Sequence, residues 1–251
     1  MTHLLRLFAT ALTFFTRLPF ARWSYADAAC LASAAPLFPL VGAVVAAVVI
    51  AVALVANLCL PASVVPWCAL AAGIVVTGAF HEDGLSDTAD GLGGGWTLER
   101  KLEIMKDSRI GSYGAVALCI VLGGKYVALA TLPPAGLLAA LWTGHVLARW
   151  SVLPLAAGLP YVRAGTPANK PVADGIGLRH AVVGSFITAA LVLPLGRVAW
   201  CAAVGSALVV ALAALYYRRQ LGGITGDTLG AANQVVELAC YLIFAGATRW
   251  T

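Results

Sequence analysis

Long apolar runs, each near the length of a membrane-crossing helix, recur along this chain and leave few other ways to fold it. Val41–Leu60, Ala62–Phe80, Tyr113–Leu132, Gly136–Ala157, Val198–Tyr217 and Leu229–Gly246 all approach the ~20 residues that cross a hydrocarbon core. Ala181–Leu195 is shorter and fits a tilted span. Leu4–Phe20 is open between a span, a re-entrant piece and an amphipathic helix lying on the membrane. Pro36 and Pro39 disfavour a straight helix through Leu31–Leu40. In lipid, every backbone N–H and C=O must be satisfied within the protein, so such runs become helices. The expected fold is all-α, a polytopic bundle of about 6–8 membrane helices in one integral membrane domain covering residues 1–251.

Charge supports this reading. Only 11% of residues are charged, whereas a soluble domain carries about 25%. The net charge of +5 includes no basic run interleaved with aromatics, so nucleic acid is not an expected partner. The lipid bilayer is one, and a homo-oligomer is compatible. The six cysteines form no C-x-x-C pair and read as small buried hydrophobes. Met1–Phe20 carries Arg6 and Arg17 within its apolar stretch and no A-x-A cleavage site, so no cleavable leader is expected.

The connections alternate in character. Those near Pro61, Pro133–Pro134 and Pro194–Gly196 are short and nearly uncharged. His81–Ser112, Gly158–His180 and Arg218–Thr228 are polar and hold Arg100, Lys101, Lys106, Arg109, Arg163, Lys170, Arg179, Arg218 and Arg219. Basic residues mark cytoplasmic loops, so the polar connections are expected on the cytoplasmic side of the cell inner membrane.

The acidic residues are concentrated. Glu82, Asp83, Asp87, Asp90, Glu99, Glu103 and Asp107 fall within one stretch. Asp83, Asp87 and Asp90 stand at i, i+4 and i+7, so a helix continuing past Phe80 puts them on one face. Like charges at that spacing destabilise a helix unless a cation offsets them, and clustered oxygen donors suit Mg²⁺. These three aspartates and Asp107 are the candidate metal ligands and catalytic carboxylates, with His81 as a further ligand or base. Arg109 can grip a phosphate in a bidentate fork, beside Lys106 and Ser108. Gly84 and Gly91 allow close approach of a bulky anion. Asp227 stands just before the last span, and Gln234 and Glu237 share roughly its face. Lys125 and Arg149 fall within spans, where ionisable groups face an interior or a wet cavity, and His145 lies one turn before Arg149. Together these residues suit transfer of a phosphate-linked group from a nucleotide diphosphate ester to an alcohol.

F-F-T-R-L-P at Phe14–Pro19, F-P-L-V-G at Phe38–Gly42, F-H-E-D-G-L-S-D-T-A-D-G at Phe80–Gly91, I-M-K-D-S-R-I-G at Ile104–Gly111 and T-G-D-T-L-G-A at Thr225–Ala231 follow one another along nearly the whole chain. In these motifs the chain resembles the cobalamin synthase family, adenosylcobinamide-GDP ribazoletransferase. The resemblance implies an adenosylcobinamide-GDP donor and an α-ribazole acceptor, or its 5′-phosphate. It implies a dependence on Mg²⁺, attack by the ribose 3′-hydroxyl and departure of GMP, the last assembly step of the cobalamin nucleotide loop. Arg17 and Asp227, which fall within these motifs, and Arg149, from its depth in a span, are also expected to meet substrate. Gln234 departs from the family pattern, where an acidic residue is expected. Two rivals make other demands. A CDP-alcohol phospholipid synthase needs an A-R pair and a second aspartate pair, both missing here. A divalent-cation transporter spreads its carboxylates over several helices at mid-membrane.

Overall fold

The computed structural model describes residues 2–25, 28–162 and 175–248. Arg163, Lys170 and Arg249 lie outside the described residues. Among the described residues the chain is a helical bundle: α1 (His3–Phe15), α2 (Ala28–Ala34), α3 (Phe38–Cys59), α4 (Val65–Thr77), α5 (Phe80–Gly94), α6 (Leu98–Ile104), α7 (Ser112–Ala130), α8 (Pro134–Gly158), α9 (Leu178–Val192), α10 (Arg197–Leu221) and α11 (Gly226–Ala247).

Five helical stretches are long and apolar enough to cross a membrane, built on α3, α7, α9, α10 and α11. The expectation of about 6–8 is therefore met at most at its lower edge. Two expected spans account for the difference. Ala62–Phe80 breaks into α4 and α5, which meet at 89°; counting that pair as one span gives six. α8 has the length, but it carries His145 and Arg149, which turn inward instead of facing lipid. α1 has 13 residues, about 20 Å of helix, too short to cross alone.

The α4–α5 break has a local cause. Gly78 and Ala79 both adopt left-handed backbone conformations, with φ of +65° and +59°. Gly78 caps α4 in the manner of a helix-ending glycine. The Arg17 side chain packs against it where a Cβ would otherwise sit, and the Arg17 N–H donates to the Val76 carbonyl at 2.8 Å. The segment before α2 thus props the bend from outside.

α8 is the central helix, packed against α3, α9, α10 and α11. α3 approaches it so closely at Gly42 that a Cβ there would collide with the His145 carbonyl. The three polar connections meet at one end of the bundle. The Lys101 Nζ on α6 donates to Gln220 Oε1 at the end of α10 at 2.6 Å. Val162 N–H donates to the Ile224 carbonyl at 2.8 Å, and Ile224 N–H to the Pro160 carbonyl at 2.9 Å. Two of the short turns, near Pro61 and Pro133–Pro134, meet at the opposite end, where the Tyr126 hydroxyl donates to the Ser63 carbonyl at 3.0 Å and Ala53, Pro66, Leu129 and Leu137 are among the residues lining a shared cavity.

Candidate functional site

α5 continues the chain past Phe80 as a true helix, so Asp83, Asp87 and Asp90 do share a face. Their surroundings differ. Asp83 is exposed, Asp87 is half-buried and Asp90 is buried. α11 crosses α5 at two glycines: a Cβ on Gly84 would lie 2.9 Å from the Asp227 carbonyl oxygen, and one on Gly230 would lie 3.3 Å from the Gly84 Cα. This crossing delivers Asp227 to the acidic face. Gly84 therefore serves helix contact here, not contact with an anion. Gly91 is occupied likewise, by Met105 and the Lys101 carbonyl of α6. Gly84→Ala should push the two helices apart without changing any charge. The expected result is at least a tenfold loss of turnover with the protein still inserted, measured on purified protein; unchanged turnover would show that the crossing does not set the site.

α5 turns away from the spans and carries five ionisable groups, so it is read as lying outside them. Burial, followed by the Asp83, Asp227 and Asp90 charges, pushes the Asp87 carboxyl up to about 7. Carboxylates held this close favour a shared proton or a bound cation. Among the described residues, no three histidine, cysteine or acidic side chains converge into a preassembled metal cage. The donor set nevertheless fits Mg²⁺, which is commonly held by one or two carboxylates and completed by water and substrate phosphates. Asp83, Asp87 and Asp227 are the oxygen donors suited to that role.

The structure gives Asp90 and Asp107 other partners. Asp90 Oδ2 accepts from Gly111 N–H at 2.7 Å and Oδ1 from Gly114 N–H at 2.9 Å. A carboxylate at the start of α7 satisfies its orphan donors and complements its dipole. Asp107 is forked by Arg109: the Arg109 Nε donates to Oδ1 at 3.0 Å and Nη2 to Oδ2. These hydrogen bonds hold the Asp107 carboxyl down at about 2. The Arg109 side chain is 87% exposed, beside exposed Ser108 and Lys106. The four-aspartate metal set is thus not brought together. His81 is 1% exposed, stacked on Phe15 at 5.8 Å between centroids, and does not face the exposed carboxylates. Arg17 is exposed at the α4–α5 bend.

Arg149 is also buried, and the structure gives it a partner in the bundle interior. Glu237 Oε1 accepts from Lys125 Nζ at 2.9 Å and from the Tyr241 hydroxyl at 3.1 Å. Glu237 Oε2 stands 3.5 Å from Arg149 Nη1. Lys125 also donates to Gln234 Oε1 at 2.6 Å, and Gln234 Nε2 donates to Glu82 Oε1 at 3.1 Å. The neutral Gln234 is well suited to its place, since it accepts from a lysine on one side and donates to a glutamate on the other. The network ties α5, α7, α8 and α11 together. Lys125, Glu237 and Arg149 were expected in the interior from their depth. Glu82 gave no signal apart from its place beside Asp83, and nothing local marked Lys101 as a tie to α10.

The cobalamin-5-phosphate synthase family model matches residues 7–245. Proteins named adenosylcobinamide-GDP ribazoletransferase are similar over nearly their whole length. The one from Shewanella frigidimarina is 45% identical over 95% of this chain and 94% of its own. The one from Shewanella woodyi is 42% identical over 97% and 98%, and the one from Leptothrix cholodnii is 43% identical over 96% of both. No solved structure matches the chain.

Proposed function

The chain belongs to the cobalamin-5-phosphate synthase family, and from that premise we propose how its open acidic face performs adenosylcobinamide-GDP ribazole transfer. The donor is adenosylcobinamide-GDP and the acceptor is α-ribazole or its 5′-phosphate. The ribose 3′-hydroxyl attacks the phosphorus that carries cobinamide. The bond from that phosphorus to the bridging oxygen breaks, GMP leaves, and the hydroxyl proton passes to a carboxylate or to water. Neither the phospholipid synthase nor the transporter reading gains support from the comparisons.

The observation that carries this reading is the convergence of Asp83 and Asp87 with Asp227 across the Gly84–Gly230 crossing. Mg²⁺ held there would supply charge neutralisation for the diphosphate. Asp83, Asp87 and Asp227 would hold that cation at the exposed edge of α5, since carboxylates can meet a diphosphate only through a cation. Arg109 exchanges its Asp107 partner for a phosphate, since an exposed ion pair contributes little and is readily swapped. Because Arg109 packs against nothing buried, its replacement reports on substrate and not on folding. Arg109→Lys should lower the apparent affinity for the donor by about tenfold, because lysine cannot form the fork. Unchanged donor affinity in that variant would remove Arg109 from the site.

The decisive experiment is turnover of purified protein in liposomes with adenosylcobinamide-GDP and α-ribazole, with and without Mg²⁺, following GMP release and the corrinoid product. No product with Mg²⁺ present would sink the proposal. The site is placed on the cytoplasmic side of the inner membrane, supported by the basic residues gathered at the same end of the bundle. Ser108→Cys in a cysteine-free background should be shielded from impermeant maleimide in intact cells and labelled in inverted vesicles. The opposite pattern would overturn the orientation.

A further inference from the structure

The interior charge network borders a small cavity among α4, α7, α8 and α11, with room of about 10 Å³, close to what one water molecule needs. Gly73 of α4, Lys125 of α7, His145 and Arg149 of α8 and Glu237 of α11 are among its walls. The polar walls keep a trace of accessible surface, 6% of the His145 side chain and 4% of Glu237.

His145 has a hydrogen bond to spare. Its Nδ1 stands 3.0 Å from Arg149 Nη1 and 3.2 Å from Glu237 Oε2. Among the described residues, nothing hydrogen-bonds its Nε2. That nitrogen faces Gly73: a Cβ built there would lie 3.8 Å from it and 3.5 Å from the adjoining Cε1. Arginine can only donate, so a His145 that accepts at Nδ1 carries its proton on Nε2. A buried N–H without an acceptor is rare in folded proteins. Lys125 adds a second spare donor, since its printed bonds to Gln234 and Glu237 use two of its three N–H groups.

Three occupants can be weighed by charge and size. A cation is repelled by Lys125 and Arg149. An anion finds both of those charges already met by Glu237 and Glu82, and chloride is larger than water. Hydrocarbon, or nothing at all, strands His145 Nε2. Water is neutral, fits the space and finds here the two to four polar partners that hold a buried water.

We propose that this cavity is a binding site for one structural water, which accepts from His145 Nε2 and bridges it to the Lys125–Glu237 pair. The water closes the joint that runs through Lys125 and Gln234 to Glu82, the neighbour of Asp83 on the acidic helix.

Gly73 provides the test, because a methyl group there meets only ordinary contacts. In a helix interior alanine is normally more stable than glycine, and serine is a poorer helix former than alanine. A dry cavity therefore gives Gly73→Ala a thermal midpoint at or above wild type and above that of Gly73→Ser. A bound water reverses the order. The methyl of Gly73→Ala displaces it and strands Nε2, lowering the midpoint of the full-length protein in detergent by about 2–4 °C. The hydroxyl of Gly73→Ser takes over the water's hydrogen bonds and keeps the midpoint within about a degree of wild type. A density map of the wild-type protein fine enough to show ordered waters should carry a peak within hydrogen-bond distance of His145 Nε2. Gly73→Ala at or above wild type and above Gly73→Ser would overturn the proposal. So would a map with ordered waters elsewhere in the interior and none in this cavity. No readout here uses substrate, so the outcome is independent of the transferase reading.

Discussion

Asp87→Asn is expected to reduce turnover by on the order of 10³-fold while the protein inserts and folds. Asparagine keeps the size of the side chain and removes one charge from a group crowded by Asp83, Asp227 and Asp90. The metal-free fold should if anything gain stability, because that repulsion is relieved. The sign follows from the raised carboxyl. A proton on Asp87 stabilises the fold at low pH, and that contribution fades as pH rises through about 7. Mg²⁺ should therefore raise the thermal midpoint of wild-type protein more at pH 8 than at pH 5, and raise that of Asp87→Asn less. Near-normal turnover, or an equal Mg²⁺ shift in both proteins, would remove Asp87 from the cation site.

Glu237→Ala is expected to be among the most destabilising single changes in the bundle, by about 3–5 kcal/mol. It strands Lys125 and Arg149, which are 1% and 2% exposed, without their shared carboxylate. A loss of that size is a large share of the ~5–15 kcal/mol by which proteins are folded. Low yield and a sharply lowered thermal midpoint in detergent are the readouts. Adding Lys125→Met should recover part of the loss, because it removes one of the two stranded charges. A midpoint within a degree or two of wild type for Glu237→Ala would show that the cations find other partners.

Hydropathy located α3, α7 and the last three helices, because lipid imposes its length on any helix that crosses it. The i, i+4, i+7 spacing of Asp83, Asp87 and Asp90 placed a shared face correctly, because helical periodicity is local. The division of labour among them was not local. Asp90 caps α7 through amides beyond Gly95, and only the folded chain brings Gly111 and Gly114 to it. Gly84 and Gly91 looked like room for a ligand; long-range contacts fill both with protein. The 89° bend was equally hidden. Gly78 hinted at it, but Ala79 in a left-handed conformation is stabilised by context that no window of sequence contains.

The crossing of α5 by α11 also fixes a schedule. A ribosome releases the acidic helix well before the helix that completes it: Glu82 waits 152 residues for Gln234, and Lys125 waits 112 for Glu237. Contacts so distant in the chain form late. A half-made chain therefore carries Glu82 and Lys125 without the partners that the finished bundle gives them. The last helix supplies both, so the polar interior is completed only when the chain is nearly whole.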